Sequence, residues 1–149
     1  MIVKAESKDC ETVKRIASET ISAVYPLYYP AGAVQFFLEH HSEERIAADI
    51  AAGAVWLYMY GESAAGTVTV NGNEINRLFV LPEYQGKGFG GELLRFAEGI
   101  AGAGGTITLS ASLPAKAIYL SHGYRETEYH IIGTENGDKL CYDQMIKLV

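Results

Sequence analysis

The chain has 149 residues, of which 48% are hydrophobic and 20% charged, with a formal net charge of −6. This is an ordinary globular mixture of a length that suits one domain over residues 1–149, and it can bury roughly 68–70% of its unfolded surface without a disulfide or metal staple. The twelve Lys and Arg are scattered rather than gathered into a patch, which excludes the usual electrostatic footprint of a nucleic-acid binder and fits a cationic small molecule, such as an amine, better.

The N-terminal MIVKAESKDC reaches charged residues at once, so it does not read as a signal peptide. Within it, IVKA predicts a short strand. Ser7 is the expected N-cap of a helix whose apolar residues Val13, Ile16, Ala17, Ile21 and Val24 recur at helical spacing until Pro26. YPLYYP (25–30) reads as an aromatic loop. Pro30 opens a second helix, AGAVQFFLEHH, and Ser42 restarts helix in EERIAADIAA, which Gly53 stops. AVWLYMY, AGTVTVN and EINRLFVL are rich in β-branched and aromatic residues and are separated by short turns, the pattern of an antiparallel meander. Next, GELLRFAEGIAGA predicts a helix with Leu93, Leu94, Ala97 and Ile100 on its apolar face, and ITLSAS a buried strand. LPAKAIYLSHG is a short helix with Pro114 in its first turn, and YRETEYHII and KLCYDQMIKL are two final strands around TENGD. The order β α α β β β α β α β β predicts a mixed α/β sheet. No apolar run approaches the ~20 residues that span a bilayer. Cys10 and Cys141 fit no metal spacing and read as reduced thiols of a cytoplasmic protein.

LPEYQGKGFGGELL (81–94) holds Gly86, Gly88, Gly90 and Gly91 between a predicted strand and a predicted helix. Backbone N–H groups and the positive end of a helix dipole converge there, so the place suits a phosphate. A Walker loop fails, because Leu81 and Gly88 stand where it needs Gly and Ser or Thr. Gly86, Gly88 and Gly91 match GxGxxG, but the preceding strands are antiparallel and ITLSASL lacks the acidic residue that a dinucleotide site requires. Gln85, Gly88 and Gly90 instead match Gln/Arg-x-x-Gly-x-Gly/Ala, and INRLFVLPEYQGKGFGGELL closely resembles the GNAT superfamily of N-acetyltransferases. IYLSHGY (118–124) resembles a second segment of that family, with Tyr119, Gly123 and Tyr124 in register, and MIKL resembles its last strand. The likeness covers essentially the whole chain and is weakest over residues 22–53.

This resemblance implies a GNAT fold, a mostly antiparallel twisted sheet of about six or seven strands with about four helices, and acetyl-CoA as the acyl donor. It implies that the N–H groups of Gly86, Lys87, Gly88, Phe89, Gly90 and Gly91 wrap the pyrophosphate, and that Leu78, Phe79 and Val80 lie beside the pantetheine arm. The Leu78 N–H is expected to donate to the thioester oxygen. Glu74 stands where several members carry the base that deprotonates the amine, and Tyr119 where the family often carries a proton donor to the thiolate. Ser112 replaces a frequent Asn, which puts its contact with the cofactor in question, and Ala115 is a small residue that lets the cofactor lie close. The acceptor, a small-molecule or peptide amine, is expected among YPLYYP, FFLEHH and TEYHIIGTENGD. There Tyr25, Tyr28 and Tyr29 form an aromatic wall and His130 faces either cleft or solvent. His40 and His41 read as helix-end residues, not a metal pair. A non-catalytic acyl-CoA sensor with the same fold stays open as the alternative. So does a homodimer, on which the residues are silent.

Overall fold

The computed structural model describes residues 1–149. Strand β1 (Ile2–Lys4) leads into helix α1 (Cys10–Val24) through a 3-10 turn at Ser7–Asp9. The helical segment therefore starts at Glu6 rather than at the expected Ser7 cap: the Asp9 carboxylate accepts from the Glu6 N–H at 2.8 Å. Val13, Ile16, Ala17, Thr20 and Ile21 form the buried stripe of α1. A second 3-10 turn, Tyr25–Leu27, carries Pro26 and leads to α2 (Ala31–His40) and α3 (Glu43–Ala51). The restart expected at Ser42 is present: α2 ends at His40, and the Ser42 hydroxyl accepts from the Arg45 N–H and caps α3. Gly53, at φ +73, ends α3 in the left-handed conformation.

The meander follows as β2 (Val55–Tyr60), β3 (Ser63–Asn71) and β4 (Glu74–Val80), then α4 (Phe89–Ala101), β5 (Thr106–Ala111), α5 (Leu113–Ser121), β6 (Arg125–Gly133) and β7 (Lys139–Leu148). They build one seven-stranded sheet in the order β1-β2-β3-β4-β5-β7-β6, in which β4 and β5 are the parallel pair. α4 begins at Phe89, earlier than the sequence suggests. Its buried face is Phe89, Leu93, Leu94, Ala97 and Ala101, whereas Ile100 is 41% exposed. Positions 93, 94, 97 and 101 repeat every three to four residues, and residue 100 falls beside that stripe.

Each sheet face buries its own core. One, under α4 and α5, gathers Val68, Val70, Ile75, Leu93, Leu94, Ile107 and Met145. The other, under α1, α2 and α3, gathers Ile16, Ile21, Ile46, Val55, Leu57, Phe79 and Leu140. A β-sheet covered on both faces hides its strands from water, so the site can form only where strands part.

Candidate active site

The strands part between β4 and β5. The two are joined through a single residue pair, Glu74 with Thr108, beside which the Thr108 N–H donates to Asn73 C=O at 2.9 Å. Beyond that tie no pairing continues, and the sheet opens toward Val80 and Ala111. A bulge in β4 accompanies the opening. On β3, Thr67 pairs with Phe79 and Thr69 with Asn76, so Arg77 and Leu78 together oppose Val68. Arg77 is the one non-glycine residue with positive φ, +48. Such a backbone costs about 1–3 kcal/mol and persists where surrounding contacts over-determine it.

Those contacts are present. The Arg77 side chain is 4% exposed. Its Nη1 donates to Asp49 Oδ2 and to Thr69 Oγ1, both at 2.9 Å, and its Nε donates to His41 Nδ1 at 3.2 Å. The bulge also reverses side-chain alternation. Glu74 and Asn76 lie together, with Asn76 Nδ2 donating to Glu74 Oε1 at 3.1 Å. Leu78 and Val80 instead pack on the α4 side of the sheet and Phe79 on the α1 side. Simple alternation in a strand would put Glu74, Asn76, Leu78 and Val80 on one face, but the extra residue at the bulge turns Leu78 and Val80 to the opposite face.

Two cavities open at this parting. The first, of about 430 Å³, runs along Leu78, Phe79 and Val80 to the glycine loop and back along α5 through Ala115 and Tyr119. In the loop, Gly86 (φ +81) and Gly88 (φ +88) take the left-handed region, which is the reason glycine stands there; a Cβ at either would meet only open space. The first backbone bond of α4 runs from Glu92 N–H to Gly88 C=O at 3.1 Å, so the N–H groups of Phe89, Gly90 and Gly91 have no intrahelical acceptor. Phe89 anchors the loop from below, its ring stacked on Tyr58 at 4.3 Å. Gln85 turns back and donates from Nε2 to Val80 C=O at 2.9 Å, so its side chain braces the loop. These free N–H groups at a helix start fit a diphosphate, and the unpaired β4 edge fits a chain of amides. Together they suit coenzyme A.

The second cavity, of about 570 Å³, lies on the other side of the opening. Glu74, Asn76 and Arg77 line its β4 wall, Phe36, Phe37 and His40 come from α2, Arg45 and Asp49 from α3, and Leu140 and Tyr142 from β7. Tyr25, Leu78, Phe79, Ser112, Ala115 and Tyr119 line both cavities and mark where they meet. At this junction the Tyr25 hydroxyl donates to Ser112 Oγ at 3.1 Å. Burial, with a smaller push from Tyr25, holds the Tyr119 phenol well above the ordinary tyrosine range. The Tyr119 ring is buried, yet its oxygen is not a sealed unsatisfied group; it opens to the cavities. Burial and the adjacent Arg77 lower His41 to about 3, and burial with Arg45 lowers His40. Both rings are neutral near pH 7.

The remaining expected residues fall outside the cavities. Lys87 is exposed and lines neither, as does Tyr28, at 50% exposure. Tyr29 is buried; its hydroxyl donates to Cys141 C=O at 2.9 Å and accepts from Leu113 N–H at 2.7 Å, fastening α5 to β7. The aromatic wall therefore contains Tyr25, joined by Phe36 and Phe37, and not Tyr28 or Tyr29, because the 3-10 turn points successive rings in different directions. His130 lines neither cavity; it stacks at 4.9 Å on Tyr142, which lines the larger one, with its Nε2 near Glu128 and Gln144. Phe36, Phe37, His40 and His41 come from the expected FFLEHH segment, whereas Arg77, Arg45 and Asp49 lie outside the segments expected to build the acceptor site. The signal for the bulge is readable in EINRLFVL, where the alternation breaks at Asn76-Arg77.

A sheet split between its parallel strands, with a helix start that fits a diphosphate on one side and a second cavity meeting it at a tyrosine, is the arrangement expected of enzymes that transfer an acyl group from coenzyme A. The family model described as "Acetyltransferase (GNAT) domain" matches residues 24–137. The chain belongs to this acetyltransferase family, whose acyl donor is acetyl-CoA. A GCN5-related N-acetyltransferase structure from Rhodopseudomonas palustris matches with TM-score 0.90 at 20% identity, covering 100% of this chain and 95% of the other. A PaiA N-acetyltransferase from Thermoplasma acidophilum, solved in complex with coenzyme A, matches with TM-score 0.75 at 21% identity, covering 100% and 98%. A ribosomal-protein-S18-alanine N-acetyltransferase from Escherichia coli matches with TM-score 0.71 at 19% identity, covering 100% and 93%. At these identities the three structures establish the fold. No curated protein matches the chain. No helix is long and apolar enough to cross a membrane.

Proposed function

We propose that this enzyme acetylates an amine by direct attack within a ternary complex. The observation that carries this reading is the meeting of the two cavities at Leu78, Ser112 and Tyr119, on either side of one strand opening. The smaller cavity takes coenzyme A and the larger the acceptor. Acetyl-CoA supplies the acyl group as a thioester. Neither Cys10 nor Cys141 lines either cavity, which favours one direct transfer over a covalent acetyl-enzyme.

The residues divide the work as follows. The N–H groups from Gly86 to Gly91 hold the diphosphate at the start of α4, and the β4 edge from Leu78 to Val80 orients the pantetheine arm. The Leu78 N–H, on the unpaired side of the bulge, donates to the carbonyl oxygen under attack. An alkyl ammonium, with pKa near ~10.4, must lose a proton before it attacks. Glu74 takes that proton through a chain of waters, since it stands four positions before Leu78 in the strand, a distance on the order of 10 Å. Tyr119, held protonated by burial, donates a hydrogen bond to the sulfur as negative charge develops on the leaving thiolate.

A thiol-release assay with acetyl-CoA over a panel of amines tests the reading. Turnover is expected, and in Glu74→Gln the rate at neutral pH should fall by roughly tenfold or more, recovering in part at high pH, where the amine deprotonates unaided. An unchanged pH–rate profile removes Glu74 from the mechanism. Binding of coenzyme A without turnover of any amine would instead favour the acyl-CoA sensor.

A further inference from the structure

The acceptor cavity carries more positive and donor character at one corner than amine binding requires. At the junction of α2 and α3, Arg45 Nη1 lies 2.9 Å from His40 Nδ1, and on the adjoining wall Arg77 Nε donates to His41 Nδ1 at 3.2 Å. A guanidinium only donates, so each ring accepts at Nδ1 and carries its proton on Nε2. Both imidazoles are therefore neutral N–H donors. The Arg77 charge is already met by Asp49, with Nη1 to Oδ2 at 2.9 Å. Arg45, which is exposed, has no carboxylate within ion-pair distance. Glu74 lines the same cavity, but at His40 its effect is outweighed by Arg45 and Arg77.

The corner also lies away from the reaction. From Phe79, beside Leu78, it is reached by two ring-to-ring steps, Phe79 to His41 at 5.2 Å and His41 to His40 at 5.1 Å. The surface between is aromatic, with Phe36 stacked on His40 at 6.2 Å and Phe37 packed edge-on against Tyr25 at 4.9 Å. An acceptor whose amine reaches Leu78 thus lays an apolar body along these rings and ends beside an uncompensated guanidinium.

We infer that the acceptor is a small elongated amine with a carboxylate at the end opposite the amine, bound there by Arg45 with the His40 and His41 N–H groups beside it. An α-amino carboxylate is too short to serve both ends. Arg45 is a specificity-determining residue in this reading, which rests on the amine-acetylation proposal above.

Matched amines test it. ε-Aminocaproate is compared with hexylamine, and para-(aminomethyl)benzoate with benzylamine, by thiol release in the wild-type enzyme and in Arg45→Gln and Arg45→Lys. The carboxylate members should be favoured by roughly tenfold in kcat/KM, mainly through KM, as suits one charge-assisted contact near solvent. Arg45→Gln should abolish the preference, bringing kcat/KM for each carboxylate member to that of its matched plain amine in the same variant, and Arg45→Lys should restore part of it. Turnover of both members without discrimination, or a preference that survives Arg45→Gln, overturns the carboxylate inference and leaves amine acetylation standing. No turnover of any amine, with coenzyme A still bound, overturns amine acetylation and this inference with it.

Discussion

Tyr119 and His41 line the same acceptor cavity under opposite constraints. The Tyr119 hydroxyl makes no hydrogen bond to the protein, so removing it costs the fold little. Tyr119→Phe should leave stability within about 0.5 kcal/mol and acetyl-CoA affinity nearly unchanged, while kcat falls by roughly hundredfold where the chemical step limits the rate, as for the loss of one donor to developing charge. Equal kcat in single-turnover measurements would take Tyr119 out of the chemistry. His41 is tied down instead. Its folded pKa is about 3 against an ordinary 6.5, so between those values the unfolded chain binds a proton that the folded chain refuses. Its contribution to stability is present above pH 6.5 and is lost as pH falls toward 3, by up to a few kcal/mol. His41→Gln keeps an acceptor for Arg77 but does not titrate. Urea unfolding across this window should show a shallower acid loss in the variant than in wild type; parallel curves would mean that His41 protonates freely.

At the scale of elements, α3 and β4 are held together by Arg77. Asp49 on α3 is 24% exposed and Arg77 4%, so the pair is neither fully buried nor freely solvated. Arg77→Met should destabilise by about 2–4 kcal/mol, because it leaves Asp49 without its cation and keeps a side chain at positive φ. Asp49→Asn should cost less, since its amide can still accept from Arg77. Urea denaturation of both single variants and the double variant measures their coupling, and purely additive losses would show that the pair does not act as a unit. Much of this architecture is legible in the sequence, because local rules specify it: Ser42 before EER restarts a helix, Gly53 and Gly105 stop helices, and alternating β-branched runs give the meander. The missed features belong to pairing between distant segments. Arg77 looks like an exposed strand residue until Asp49, Thr69 and His41 converge on it. Likewise Tyr25, Tyr28 and Tyr29 look equivalent until one faces the junction, one faces solvent and one clamps α5.

For the whole molecule, the two cores face each other across a sheet that is incomplete where β4 leaves β5. A ligand that bridges the glycine loop and α5 stitches this opening and binds only the folded state. At about one hundred times its dissociation constant, coenzyme A should stabilise the protein by about 2.7 kcal/mol, raising Tm by roughly 5–10 °C for a domain of this size, whereas NAD should not. Thermal melts with each compound decide this, and equal shifts would contradict a site built for coenzyme A.

LPEYQGKGFGGELL by itself determined what kind of group suits that place: positive-φ glycines before a helix leave free N–H donors that favour an anion, and those requirements are local in the chain. The resemblance carried by the IYLSHGY segment likewise brought Tyr119 into view. FFLEHH was expected beside the acceptor, but only the tertiary structure decided where the larger cavity lies and what else lines it. Its walls come from α2, α3, β4 and β7, segments far apart in sequence, and a one-residue bulge chooses which β4 side chains face which cavity. Charge on Arg45, Arg77 and Asp49 acquires meaning only from what stands beside it, and such proximity is set by packing rather than by sequence spacing.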